Sequence, residues 1–133
     1  MKYIRKWKIV DTELGAIPVP EIELRCKFCG CKLMLHQFIA SYNKGHNFYH
    51  VDISLKCPNC DWFIPERKLA GSGKLEVFGV PISKEEYEKL RASKLHGKII
   101  KELHELEIVA KLYNIPELHK KLVEERLKAL GYW

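Results

Sequence analysis

Two Cys-x-x-Cys pairs, Cys26 with Cys29 and Cys57 with Cys60, are separated by residues 30–56 in a chain of 133 residues. No other feature restricts the fold so strongly. Each pair can form a tight knuckle in which both sulfurs converge on one ion while backbone amides donate to them. Two knuckles at the ends of a hairpin complete a tetrahedral four-sulfur site. Four sulfurs leave no open coordination position, so the expected ion is structural. In a small β module its binding supplies much of the folding free energy.

The residues between the pairs carry the hairpin this requires. Lys32 to Ser41 is strand-like, Tyr42-Asn43-Lys44-Gly45 is a turn, and Asn47 to Lys56 is the returning strand. In that strand Tyr49, Val51, Ile53 and Leu55 alternate with Phe48, His50, Asp52 and Ser54, and the first set is the one to bury. Met1 to Val10 reads as another strand, and Asp11 to Pro20 as a connection punctuated by Gly15, Pro18 and Pro20. Trp62 to Ile64 and Lys74 to Val80 supply further strands.

The pattern then changes to helix. Ser83 followed by Glu86 has the spacing of a capping box. Apolar residues recur from Leu95 through Ile99, Leu103 and Leu106 to Tyr113, which predicts helix over 84–113, weakened or kinked at His96-Gly97. Asn114 can close it in a left-handed conformation, and Pro116 suits the first turn of a second helix running to Leu130. The expectation is an α+β protein: an antiparallel β module with a zinc-ribbon site over 1–81, then a C-terminal helical hairpin over 82–133.

At the cysteines the sequence resembles the zinc-ribbon superfamily, with knuckles similar to those of rubredoxin. Cys26-Lys27-Phe28-Cys29-Gly30 matches the pattern Cys-x-x-Cys-Gly, and Cys57-Pro58-Asn59-Cys60 matches the core Cys-Pro-x-Cys. Asp61 departs from the pattern, standing where rubredoxin has glycine. The resemblance covers residues 21–80 and implies a ribbon fold and, in many members, contact with nucleic acid or transcription machinery. The expected cofactor is a single Zn2+ on Cys26, Cys29, Cys57 and Cys60. Iron fits the same four-sulfur geometry and would make the chain an electron carrier, but the helical extension and Asp61 weigh against a plain rubredoxin. Paired disulfides are the third reading of the cysteines. Cys31 is read as a spare or buried thiol, and His36, His46 and His50 as surface side chains.

The formal charge is +6. Four thiolates and one divalent ion lower it to about +4, which permits an acidic partner without demanding one. Aromatic and basic residues mix at Tyr3, Arg5, Lys6, Trp7 and Lys8 and again on the hairpin at Lys44 and Phe48, a combination able to stack bases and neutralise phosphates of DNA or RNA. Val109 to Pro116 resembles the middle of a helix-turn-helix, whose second helix would present Lys120 and Lys121. The pattern departs at Lys120, where that family buries an apolar side chain. Wide apolar faces on the C-terminal helices offer another use, as a dimer surface or a dock for another protein.

No catalytic constellation is present in the sequence. Gly71-Ser72-Gly73 lacks the lysine and hydroxyl of a phosphate-cradling loop, and Glu85, Glu86 and Glu88 sit where a helix dipole favours carboxylates. No apolar run approaches the roughly 20 residues of a membrane span, and residues 1–8 lack the apolar core of a secretory signal, so a cytoplasmic location is expected. Abundant Lys and Glu with a single glutamine, Gln37, is a thermophile-like bias.

Overall fold

The computed structural model describes residues 2–58, 75–115, 122–124, 127–128 and 130–131. The described strands are β1 (Lys2–Tyr3), β2 (Trp7–Thr12), β3 (Gly15–Pro20), β4 (Met34–Asn43), β5 (Phe48–Lys56) and β6 (Leu75–Ile82). Two helices follow, α1 (Lys84–Arg91) and α2 (Leu103–Tyr113). The class is α+β. Strands β1-β6-β5-β4 form one sheet, in that order, and β2 and β3 form a separate antiparallel pair.

The hairpin between the cysteine pairs is the spine of the larger sheet. Its register runs from Met34↔Lys56 to Asn43↔Phe48, with a bulge between Leu35 and Gln37. The alternation along β5 is as expected. Val51 and Ile53 are 0% and Leu55 1% exposed, whereas Phe48 on the opposite parity is 40% exposed. A one-residue slip would reverse every one of these, so burial fixes the register. β6 continues the sheet antiparallel to β5, and β1 lies parallel to β6.

Two expectations near the amino terminus need correction. The strand predicted over 1–10 breaks after Tyr3, because Ile4 turns into the core and donates to Gly79 O at 3.4 Å, leaving β2 to start at Trp7. The predicted connection over 11–20 contains β3, whose residues Ala16 to Pro20 are all buried. Prolines are tolerated there because the strand pairs along one side. Glu21 N–H donates to Lys6 O at 3.0 Å, so odd-numbered amides face β2 and the ring nitrogens of Pro18 and Pro20 point away.

The single helix predicted over 84–113 is also two helices with a non-helical segment between them. Gly97 adopts φ +71°, which interrupts a helix. The stronger cause is the outer edge of β4, which needs partners. Gly97 and Ile100 amides donate to Phe38 O (2.9 Å) and His36 O (2.8 Å). The Ala40 amide donates to His96 Nε2 at 2.9 Å, and the Arg91 guanidinium donates to Ala40 O at 3.3 Å. Helix propensity of a few tenths of a kcal/mol per residue loses to such bonds, each contributing about 0.5–1.5 kcal/mol.

The predicted caps form. Ser83 Oγ accepts from the Glu86 amide at 3.1 Å while a Glu86 carboxylate oxygen accepts from the Ser83 amide at 2.9 Å. Asn114 closes α2 at φ 51°, ψ 60°. The second helix of the expected hairpin falls largely outside the described residues; within it, 122–124 and 127–128 are helical. Buried residues on both sides of Pro81 share one core, with Leu90, Leu95, Ile100, Val109 and Ile115 joining Phe38, Val51 and Ile53. Tyr113 is buried at its margin with its hydroxyl donating to Pro18 O at 3.4 Å, and burial holds its phenol above the usual range.

Candidate metal centre

The first knuckle is built by backbone. Arg25 and Lys32 bridge, and the Leu33 amide donates to Leu24 O at 2.7 Å, so the chain enters and leaves the cysteines side by side. Inside that frame Cys26 N–H donates to Cys31 O (2.8 Å) and Gly30 N–H to Cys26 O (3.0 Å). The Phe28 amide donates to Cys26 Sγ at 3.4 Å, the N–H···S bond expected of a knuckle. Gly30 sits at φ +76° with nothing within 4 Å of where a Cβ would be. Glycine is therefore needed there for its backbone and not for space. The Arg25 guanidinium donates to Gly30 O at 2.8 Å and pairs with Glu23, bracing the turn from outside.

Cys57 reaches the knuckle from the end of β5, where its residue is fully buried. The sulfurs of Cys26, Cys29 and Cys57 all lie within 4.8 Å of one another. Those of Cys29 and Cys57 are 3.3 Å apart. A disulfide would hold sulfurs at about 2.05 Å. Metal–sulfur bonds of about 2.3 Å in a tetrahedron put neighbouring sulfurs about 3.8 Å apart. The 3.3 Å contact is too long for a disulfide, and the 4.8 Å limit on all three sulfurs accommodates the second value. Three cysteine sulfurs thus cluster within metal-binding distance, a geometry compatible with a zinc-binding module. Zinc and iron share it, so the spacing does not select between them. Cys60, the expected fourth ligand, lies outside the described residues.

Cys31 is half-buried and does not join the group of three. Of the hairpin histidines, His46 is exposed as expected, but His36 and His50 are half-buried. His36 Nδ1 is buried without a hydrogen-bond partner. Burial, followed by the Lys56 charge, holds its imidazole down to about 4. His50 Nε2 stands 3.5 Å from Asp52, and its Nδ1 is likewise unpartnered. Among the described residues no histidine or carboxylate joins the sulfurs.

The residues expected to meet nucleic acid divide differently. Arg5, Lys6 and Lys8 are exposed, as are Lys44 and Phe48, while Trp7 is half-buried and packs against the core. Register brings two of these groups to one end of the sheet. Tyr49 pairs with Ile82, so the end of β6 lies beside the turn at 44–47. β1 runs parallel to β6, so the chain is heading toward that end when it leaves the sheet after Ile4, just before Arg5 and Lys6. The sulfurs lie at the opposite end, beyond Lys56. Lys120 and Lys121 are outside the described residues.

Sequence reasoning missed an aromatic row at the turn end. Tyr42 and Tyr49 rings are 4.7 Å apart, Tyr49 and Tyr87 4.8 Å, and the Arg91 guanidinium lies 5.7 Å from the Tyr87 ring centre. The predicted turn at 42–45 placed Tyr42 inside the turn, whereas β4 runs on to Asn43 and pairs Tyr42 directly with Tyr49. Also unforeseen is a groove of about 940 Å³ between the β2–β3 turn and α2. It is lined by Asp11, Glu13 and Glu107, and His104 Nε2 lies 2.5 Å from Glu13 Oε1. That acidic lining disfavours phosphate.

Among the described residues no helix is long and apolar enough to cross a membrane. Comparison of the chain with protein-family models, with curated proteins and with solved structures finds no match.

Proposed function

We propose that this chain is a non-enzymatic protein built on one structural zinc ion, of zinc-ribbon type, and that it binds nucleic acid. The observation that carries the first part is the convergence of the Cys26, Cys29 and Cys57 sulfurs within 4.8 Å from segments far apart in sequence. Cys60 is the fourth ligand in this reading. It completes an all-sulfur set with no position open for substrate, which is why the ion holds structure and does no chemistry. Elemental mass spectrometry of the untagged chain tests it. One zinc per chain is the expected result; one iron would move the reading to electron transfer, and no metal would end it.

Nucleic-acid binding is supported by exposed Arg5, Lys6 and Lys44 with exposed Phe48 at the sheet end remote from the sulfurs. Cations there neutralise phosphates and the ring stacks on a base. Fluorescence anisotropy with single-stranded DNA and RNA at two salt concentrations is the test. Affinity should fall with salt, and Arg5→Gln with Lys6→Gln should flatten the logarithmic slope by about 1.4. Salt-independent or absent binding would leave assembly as the function. That alternative is favoured by Ile39, Val77 and Leu75, which are 40%, 40% and 50% exposed on the larger sheet. Light scattering would then show a dimer.

A further inference from the structure

The three cysteines are unequally buried as residues. Cys57 is 0% exposed and Cys26 7%, whereas Cys29 is an exposed residue. Its sulfur is 3.3 Å from that of Cys57. A cysteine bound to a metal is already a thiolate, and the thiolate is the nucleophilic form. Accessible thiolates are the ones that enter the oxidation ladder, and a second sulfur nearby resolves the first product into a disulfide.

We propose that Cys29 is an oxidant-sensitive site, attacked by hydroperoxides and resolved by Cys57, so that the metal centre doubles as a redox switch. The proposal rests on the metal reading above. In the first step the Cys29 sulfur attacks the peroxide oxygen; a sulfur–oxygen bond forms, the O–O bond breaks, and hydroxide leaves. In the second, the Cys57 thiolate attacks the Cys29 sulfur. A sulfur–sulfur bond forms, the sulfur–oxygen bond breaks, and a second hydroxide leaves. Two thiolates have lost two electrons to one peroxide, and the metal departs as an unchanged divalent ion. Bond formation requires the two sulfurs to close from 3.3 Å to about 2.05 Å, a small movement for side chains. The order of events follows from burial, since Cys57 is screened from a solvent oxidant and Cys29 is not. Cys57 is taken as the resolving thiol because its sulfur is the one placed 3.3 Å from that of Cys29.

The full-length chain loaded with zinc is treated with one equivalent of hydrogen peroxide. Metal release is followed with a chromogenic indicator, and disulfides are mapped by peptide mass spectrometry. One zinc should be released per peroxide consumed, with a Cys29–Cys57 linked peptide that dithiothreitol reverses. A sulfenate trap added during oxidation should label Cys29 about tenfold more than Cys26 or Cys57. Cys31→Ser should release zinc at the wild-type rate. A linked peptide that omits Cys29 or joins it to Cys31 or Cys60, predominant labelling of another cysteine, or zinc retained while free glutathione is oxidised in the same tube would each overturn the proposal. Zinc content before peroxide separates the two claims. A chain that binds no zinc defeats the metal reading, and one that binds zinc and keeps it defeats only the switch.

Discussion

At one end of the larger sheet three sulfurs from two distant segments meet, and at the other a turn joins residues that are neighbours in sequence. The turn end is held by contacts the chain makes by itself. Asn47 takes the left-handed conformation at φ 53°, the Tyr42, Tyr49 and Tyr87 rings make tilted contacts, and the Ser83 capping box starts α1 nearby. The sulfur end has a well-bonded knuckle that joins β5 through the Met34↔Lys56 pairing and β6 through Lys27 and Glu76, with the sulfurs meeting beyond the last paired residues. Local chemistry therefore suffices where sequence separation is short. The two cysteine segments are 28 residues apart; the hairpin brings them near, and holding the sulfurs together beyond its last pair is where a bound ion would contribute.

The widest gap between the two ends should appear on removing the ion. Cys57→Ser, or a strong chelator, should abolish zinc binding and collapse amide dispersion for residues 24–33 and 55–57 in NMR spectra. Signals from the 42–49 turn should survive. If both ends melt together, the ion stabilises the whole domain and the contrast drawn above is wrong.

Gly15 tests whether the separate β2–β3 pair follows either end. Its φ is +118° and an added Cβ would lie 2.7 Å from Ser93 Cα. Gly15→Ala should cost about 2–3 kcal/mol, read from urea midpoints, with or without metal. A cost that vanishes in the chelated chain would tie this hairpin to the sulfur end.

Smaller changes sharpen the comparison residue by residue. Gly30 and Asn47 are both left-handed, one at each end. Gly30→Ala and Asn47→Ala should each cost about 1–2 kcal/mol in the zinc-bound chain. Only the Gly30 effect should also weaken zinc affinity. Equal effects on affinity would show that the turn end feels the ion.

The smallest expected effect is on acidification, because both imidazoles concerned are partly solvated. Burial lowers His96, with Arg91 adding to it and the Ala40 hydrogen bond opposing it; His36 is held down to about 4. Both fold as neutral rings, so their contribution to stability is full above the unfolded value near 6.5. It falls as pH drops below that value, because the unfolded chain binds protons that the fold refuses. For His36 the loss levels off below about 4. Denaturation of the metal-free chain at pH 7.5 and 4.5 measures this without thiolate protonation intruding. His96→Gln should retain a smaller acid loss than wild type, and an unchanged loss would assign the effect to His36 alone.

Much of this fold was legible because periodicity and punctuation agreed. β5 alternates cleanly, Ser83 and Glu86 have capping spacing, and Asn114 ends its helix where expected. The cysteine knuckle was legible for the same reason, since Gly30 follows Cys29 at the position that needs positive φ. The failures have tertiary causes. β3 was concealed by prolines acceptable only on a strand paired along one side, a fact about its neighbours. The helix interruption at 92–102 answers the unpaired edge of β4, far away in sequence. His36 looked like surface until the strap residue Ile100 lay across its carbonyl.

That strap has a consequence for how the molecule behaves among its own copies. A bare strand edge is adhesive, offering a row of amides and carbonyls to any extended chain. Here Arg91, His96, Gly97 and Ile100 occupy the row from Ala40 to His36. Segment 91–100 thus acts as a quarantine. Arg91→Ala with His96→Ala, which frees Ala40 while keeping the core residues Leu95 and Ile100, should make the zinc-loaded chain associate edge to edge, while the unaltered chain stays dispersed.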